Sequence, residues 1–167
     1  MLRIMLLFVF WLFNHIATAN AQQGANQVSV ETNRGRFEID LRRDLSPKHV
    51  ERFVQLIRSK FYNGVIFHNV VQGYVVYTGD PTGTGMGGSQ LPVLRLEPSN
   101  GAFQKGTVAM ITPKENPNLS NSQFFILLAD APHLDRRYSI IGQVASGLPI
   151  VSQIRIGDTI NRMDILR

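Results

Sequence analysis

Apolar and polar residues alternate between Val28 and Leu41, and this alternation predicts a pair of β-strands. Every second residue is apolar or β-branched on each side of Asn33-Arg34-Gly35, a sequence typical of tight turns. Alternate residues of a strand point to the same face, so each strand would present one apolar face. The segment is therefore predicted to form a β-hairpin.

Helical spacing replaces this alternation after Ser46. Ser46 is a suitable N-cap, and Pro47 suits the first helical position, so a helix is predicted from there to about Lys60. His49 is predicted to lie on its solvated side. The apolar face is formed by Val50, Phe53, Val54, Ile57 and Phe61.

Short stretches rich in β-branched and aromatic residues dominate the rest of the chain. They predict strands over 65–71, 74–77, 106–111, 123–128 and 138–144, separated by glycine and proline. A second short helix is predicted over 148–154 and a last strand over 158–166. Many short strands with two helices indicate a single β-rich domain, and a barrel fits this pattern.

The first 21 residues resemble a secretory signal peptide. Arg3 precedes ten consecutive apolar residues, and small residues follow up to Ala19 and Ala21, which match an A-x-A cleavage pattern. The alternative is an uncleaved anchor, but a membrane span needs about 20 apolar residues. We therefore predict a signal peptide over 1–21, a flexible lead-in over 22–27 and a domain over 28–167. Secretion of the chain follows.

Composition excludes several kinds of chemistry. The chain contains no cysteine, which rules out disulfides, zinc fingers, iron–sulfur clusters and cysteine nucleophiles. Its 17 basic and 12 acidic residues give a net charge of +5 without a basic stripe, so no nucleic-acid partner is predicted. The histidines lack metal-ligand spacing, and no metal or other cofactor is predicted.

Two local motifs have ordinary explanations. Residues 83–88 match G-x-G-x-x-G, but Pro92 follows closely where a nucleotide-binding fold needs a helix. The segment is therefore predicted to be a glycine-rich surface loop. His68 falls in the predicted strand over 65–71, where a hydrogen-bonded core histidine is the simplest interpretation.

Residues 67–81 and 122–144 combine aromatic residues, glutamine and glycine at a density that has two explanations. They could be only core and ladder residues. They also suit an apolar groove with a few polar donors, which would bind a proline-containing peptide.

These stretches resemble the cyclophilin family of peptidyl-prolyl cis-trans isomerases, particularly its short bacterial secreted branch. The resemblance covers roughly residues 28–160 and is most specific at Ser122–Phe125, with 79–85 upstream and Leu134-Asp135 downstream. It implies a mainly β fold, a closed antiparallel eight-stranded barrel capped by two helices. It also implies an isomerase that needs neither metal nor cofactor.

The resemblance assigns a role to several residues. Phe125 would be the floor of the proline pocket and Gln123 would hold the peptide backbone. Met110 would border the pocket, Leu134 would form its wall, and Tyr74 stands where the family usually has phenylalanine.

The chain also departs from the family pattern. Asn69 stands at the position of the catalytic arginine, which donates to the prolyl amide. Tyr138 stands where many members have histidine and bacterial members often have tyrosine, and His133 stands where a tryptophan favours cyclosporin. Both residues would contact the substrate. Val75 and Tyr77 replace a methionine and a glutamine. The loop 113–121 is longer than usual, and no role is assigned to it.

Two functions remain open at this point. The first is an exported, monomeric isomerase that assists protein folding in the periplasm. It would act on proline-containing segments of exported proteins, with activity reduced by Asn69. Its catalytic residues would be Asn69, Gln123 and Phe125. The second is a non-catalytic module that binds proline peptides or a partner on the same fold.

Overall fold

Eight antiparallel strands form one sheet in the computed structural model, which describes residues 26–111 and 122–166. The predicted signal peptide, residues 22–25 of the lead-in and the loop 113–121 lie outside the described residues. The strands are β1 (Gln27–Thr32), β2 (Gly35–Leu41), β3 (Asn69–Val71), β4 (Val75–Thr78), β5 (Thr107–Met110), β6 (Phe124–Leu127), β7 (Ser139–Ser146) and β8 (Ile160–Leu166). The helices are α1 (Pro47–Arg58) and α2 (Leu148–Val151), and Pro132–Leu134 forms a 3₁₀ turn.

The strand order is β3-β4-β6-β5-β7-β2-β1-β8, so β3 and β8 are the two edges of the sheet. The edges meet just outside these strands, through a bridge between Ile66 and Thr159. The N–H of Phe67 donates to the carbonyl of Asp158 at 2.8 Å beside that bridge. The predicted mainly β fold, with eight antiparallel strands and two helices, is confirmed.

The closing bridge explains the largest difference from the predicted elements. The strand predicted over 65–71 shrinks to Asn69–Val71, because residues 64–67 bond to 157–160 instead of to β4. His68 consequently precedes β3. The second helix is also shorter than predicted and ends at Val151.

The two faces of the sheet carry two separate apolar clusters. The inner cluster packs under α1, where the ring of Phe124 meets those of Phe53 and Tyr62 edge-on at 5.2 and 5.5 Å between centroids. The outer cluster contains Phe125 and Phe103. Adjacent residues of a strand point to opposite faces, so Phe124 and Phe125 serve different clusters.

The sequence predicted that Ser46 caps the start of α1, but the cap is provided by a glutamate that is distant in sequence. The Glu97 carboxylate accepts hydrogen bonds from the backbone N–H groups of Lys48 and His49 at 3.2 and 2.9 Å. It therefore occupies the place of the cap, and Ser46 makes no side-chain capping bond.

His49 is buried against this cap, so the prediction of a solvated histidine was wrong. Its Nδ1 lies 2.7 Å from the Glu97 carboxylate, and only 1% of its surface is exposed. Burial lowers the pKa of His49, and the neighbouring Glu97 opposes that shift. The pair ties α1 to the segment that runs over it.

Candidate active site

A small aromatic cleft lies on the outer face of the sheet and has a volume of about 120 Å³. Three of the six residues that line it are tyrosines. It is lined by Tyr74, Tyr77, Ile111, Phe125, Leu134 and Tyr138. We call this the aromatic cleft.

The floor of the aromatic cleft is set by strand register. Phe125 on β6 pairs with Tyr77 on β4 and with Ala109 on β5, and Tyr77 in turn pairs with Asn69 on β3. Residues paired in this way share a face of the sheet. Phe125 is 3% exposed, and the Tyr138 ring meets it edge-on at 5.2 Å. These contacts hold the floor in one orientation.

One rim of the cleft joins the turn after β3 to the 3₁₀ turn. The Tyr74 hydroxyl and His133 Nε2 are 2.9 Å apart, and the two rings stack at 6.3 Å between centroids. His133 is exposed and contacts Tyr74 from outside the lining, whereas Leu134 reaches the cleft itself. The predicted residues Tyr74, Leu134, Phe125 and Tyr138 are thus brought together.

Gln123 lies beside the cleft and holds a neighbouring loop. It is 6% exposed, and its amide nitrogen donates to the carbonyls of Gly85 and Gly87 at 3.1 and 2.8 Å. We call residues 79–88 the glycine loop. The structure therefore gives Gln123 a positioning contact in addition to the peptide contact implied by the resemblance.

The glycine loop is built around the buried carboxylate of Asp80. The backbone N–H groups of Thr82, Thr84, Gly85 and Gly87 donate to it at 2.6–3.1 Å. Burial raises the pKa of Asp80, but the bonds from Thr82 and from the loop N–H groups outweigh it and hold the pKa at about 2. The N–H groups that a phosphate would need are bound to this side chain.

Glycine is required where the loop touches its neighbours. A Cβ on Gly87 would lie 2.3 Å from the Asp80 carboxylate, and one on Gly79 would lie 2.3 Å from the backbone oxygen of Ser122. Gly79 also has φ +90°, which strongly disfavours other residues. The loop is thereby held against the strand segment that carries Gln123.

Met110 does not border the cleft, contrary to the prediction. It is fully buried in the inner cluster, and the next residue, Ile111, lines the cleft. Ala109 pairs with Phe125, so the outward positions of this segment are 109 and 111, while 110 points inward. Counting strand parity from Phe125 would have identified Ile111.

Asn69 lies on the exposed edge strand β3 and is not part of the cleft lining. No cationic side chain lines the aromatic cleft within the described residues. Arg136 and Arg137, on the loop after Leu134, are exposed. Tyr77 replaces a glutamine of the family and was given no role from the sequence. It lines the cleft between Asn69 and the floor residue Phe125.

His68 also differs from its predicted state. It is half-buried, and its Nδ1 has no hydrogen-bond partner within residues 26–111 and 122–166. Burial lowers its pKa, and the charge of Asp80 opposes the shift. The imidazole is therefore weakly basic and lies beside Gly85 of the glycine loop.

A larger depression of about 510 Å³ lies on the outer side of α1, lined by Arg43, Glu51, Val54, Gln55 and Arg58. It is mostly charged and has no aromatic walls, so we regard the smaller aromatic cleft as the better candidate.

Within the described ranges, no group of three or more acidic or histidine side chains could hold a metal ion. No helix in that part of the chain has the length and apolarity to cross a bilayer.

Comparisons with known proteins agree with the geometry. The family model for "Cyclophilin type peptidyl-prolyl cis-trans isomerase/CLD" matches residues 27–166. A probable peptidyl-prolyl cis-trans isomerase of Brucella suis biovar 1 (strain 1330) is 38% identical over 161 residues, covering 90% of this chain and 82% of the relative. The mouse peptidyl-prolyl cis-trans isomerase-like 3 is 37% identical over 129 residues, covering 76% and 80%.

A solved structure is also similar. The crystal structure of a Cryptosporidium parvum cyclophilin type peptidyl-prolyl cis-trans isomerase, obtained in the presence of the dipeptide Ala-Pro, is 28% identical. It matches with a TM-score of 0.76 over 84% of this chain and 99% of that one.

Proposed function

The chain belongs to the family of cyclophilin-type peptidyl-prolyl cis-trans isomerases, and we propose that it acts on proline-containing segments of exported proteins through the aromatic cleft. The observation that carries this proposal is an apolar cleft with Phe125 as its buried floor. A drug-sized ligand needs about 300–1,000 Å³, whereas this cleft has about 120 Å³. It therefore suits one small apolar ring, such as that of proline.

The reaction needs no nucleophile. Amide resonance imposes a barrier of about 18–20 kcal/mol on rotation of the X–Pro bond, and the uncatalysed exchange takes tens to hundreds of seconds. The enzyme must hold the ring and bind the twisted amide more strongly than the planar one. Phe125, Leu134 and Ile111 would hold the ring, and Gln123 would position the glycine loop beside the peptide.

Asn69 is the reason to expect reduced activity. An asparagine amide is neutral and short, whereas the arginine it replaces offers a charged donor, and charge-assisted hydrogen bonds are about twice as strong. Loss of one such donor costs about 2.7–4 kcal/mol of transition-state stabilisation. We therefore propose an isomerase about 10²–10³-fold slower than a member that keeps the arginine.

Exchange NMR on a tetrapeptide with one Ala-Pro bond tests this activity directly. Cross-peaks between the cis and trans signals should grow faster when the protein is added at a few per cent of the peptide concentration. A rate equal to that of the free peptide would contradict the isomerase proposal.

The competing function is a non-catalytic proline-peptide binder, and the cation-free lining favours it. In that case the same NMR samples would show chemical-shift changes on binding without faster exchange. The aromatic rings of the cleft provide a further readout, because a bound proline would shift the signals of Tyr138 and Phe125.

Export is a separate proposal that depends on the sequence of residues 1–21. We propose cleavage before Gln22 and a monomeric periplasmic product. Mass spectrometry of the protein recovered from periplasm after expression of the full chain would show a product that begins at Gln22. A product that retains Met1–Ala21 and stays with the membrane would contradict it.

A further inference from the structure

The residues that line the aromatic cleft provide phenolic hydroxyl groups and no cation. Tyr74, Tyr77 and Tyr138 all line it, and each offers a phenolic O–H. The Tyr74 hydroxyl is engaged with His133 at 2.9 Å. Tyr77 and Tyr138 are therefore the two phenols in the lining that remain to be considered as donors to a bound peptide.

Distance along the sheet makes Asn69 a poor donor to a peptide held on Phe125. Asn69 pairs with Tyr77, and Tyr77 pairs with Phe125, so Asn69 stands two strands away from the floor. Neighbouring strands are about 4.8 Å apart, which places the Asn69 backbone about 10 Å from that of Phe125. A long arginine side chain can bridge such a gap, but the short asparagine amide cannot.

Tyr77 stands in the intervening strand, directly beside the floor. Its ring centroid lies 5.8 Å from that of Phe125, and the residue is half-buried. Its hydroxyl forms no hydrogen bond with residues 26–111 or 122–166. Burial raises the pKa of Tyr77, and the nearby phenols of Tyr138 and Tyr74 raise it further. The hydroxyl is therefore protonated at neutral pH and available to donate.

We propose, on the basis of the proposed isomerase function, that Tyr77 is a catalytic residue whose hydroxyl donates to the prolyl nitrogen as the amide twists. In the planar amide the lone pair of that nitrogen is delocalised into the carbonyl, and the nitrogen accepts poorly. At the twisted transition state the lone pair is localised on nitrogen and accepts a hydrogen bond. No covalent bond forms or breaks, and the proton stays on the phenol throughout.

Such a donor binds the transition state better than the ground state, so its effect falls on kcat. Tyr138 carries the same group, but its ring packs edge-on over Phe125 from the loop before β7. Tyr77 lies on β4, between Asn69 on β3 and the floor residue Phe125 on β6. The phenol would thus supply, from the adjacent strand, the donor that Asn69 is too short to supply.

The test compares four single-residue variants of the full chain with the wild type by exchange NMR with the Ala-Pro tetrapeptide. Tyr77→Phe should lower kcat about 10-fold while the peptide Kd stays within about twofold, since a neutral donor contributes less than a charged one. Tyr138→Phe and Asn69→Ala should each lower kcat less than Tyr77→Phe. Tyr77→Gln, which restores an amide donor, should recover part of the loss.

The outcomes separate this inference from the proposed function. Wild-type protein that fails to accelerate exchange overturns the proposed function, and the role of Tyr77 with it. If kcat is unchanged in Tyr77→Phe, or falls as much in Asn69→Ala as in Tyr77→Phe, only the role of Tyr77 is overturned. A higher peptide Kd with unchanged kcat in Tyr77→Phe also overturns it, because that result would assign Tyr77 to ground-state binding. Thermal unfolding of each variant, expected within a few degrees of wild type, shows that folding is not the cause.

Discussion

The Asp80 carboxylate at the centre of the glycine loop should make both the stability and the shape of the site sensitive to acid. Asp80 is fully buried and accepts hydrogen bonds from four backbone N–H groups. Asp80→Asn removes the charge and replaces one acceptor oxygen by an NH₂ group. That group would face the N–H donors of the loop, so some of them would be left unpaired.

The magnitude follows from the pKa. Asp80 has a pKa of about 2 in the folded chain against an ordinary value of 3.8, and one pKa unit corresponds to about 1.4 kcal/mol. The charged carboxylate therefore contributes about 2 kcal/mol to the free energy of unfolding. Unpaired loop donors add to this, so Asp80→Asn should cost about 2–4 kcal/mol at pH 7.

The direction of the pH dependence is fixed by the lowered pKa. Between pH 3.8 and pH 2 the unfolded chain binds the proton more readily than the folded one. The contribution of Asp80 is thus fully present above its unfolded pKa and is lost as pH falls through its folded pKa.

Urea unfolding followed by circular dichroism at pH 7, 4, 3 and 2 measures this effect. The difference in unfolding free energy between wild type and Asp80→Asn should shrink by about 2 kcal/mol from pH 4 to pH 2. Asp158, whose pKa is also about 2, is present in both proteins and cancels from the difference. A difference that stays constant over this range would refute the role assigned to the Asp80 charge.

Three further substitutions test other parts of the site. Asn69→Arg should raise kcat about 10²–10³-fold with unchanged thermal stability, and no gain would show that the missing cation does not limit the rate. Gln123→Ala should lower the unfolding free energy by about 1–2 kcal/mol and raise KM, because two carbonyls of the glycine loop lose their donor; an unchanged KM would exclude a positioning role. Glu97→Gln should lower the unfolding free energy by about 1–2 kcal/mol, because it weakens the cap of α1 and the bond to His49. The control Glu51→Gln, on the solvent side of the same helix, should lower it by less than about 0.5 kcal/mol. Equal losses would contradict the capping role.

Local patterns predicted the elements well because they depend on nearby residues. The hairpin from β1 to β2 and the helix after Ser46 follow from periodicity and turn chemistry, and both are present in the structure. The short segment at 65–71 was harder to predict, because the bonds that divide it come from residues 157–160. The cap of α1 was missed for the same reason, since Glu97 lies far from the helix in sequence.

The site was predicted in its residue types better than in its geometry. Tyr74, Phe125, Leu134 and Tyr138 do meet around one cleft. The role given to Met110 failed because adjacent strand residues face opposite sides of the sheet, and a match by sequence position does not test that parity. The sequence did not identify Tyr77 as a lining residue, because its place beside Phe125 depends on the pairing of β4 with β6.

The arrangement of the cleft explains how position 69 can change without loss of the fold. Phe125, the floor, is 3% exposed and packed among rings of the outer cluster, so its replacement would disturb the sheet itself. Asn69 lies exposed on the edge strand β3, and the outer cluster does not include it. The floor of the cleft and position 69 therefore stand on different strands with different burial. A substitution at position 69 therefore costs little stability, and position 77, for which the donor role is proposed, faces the cleft from a strand that the core already holds in place.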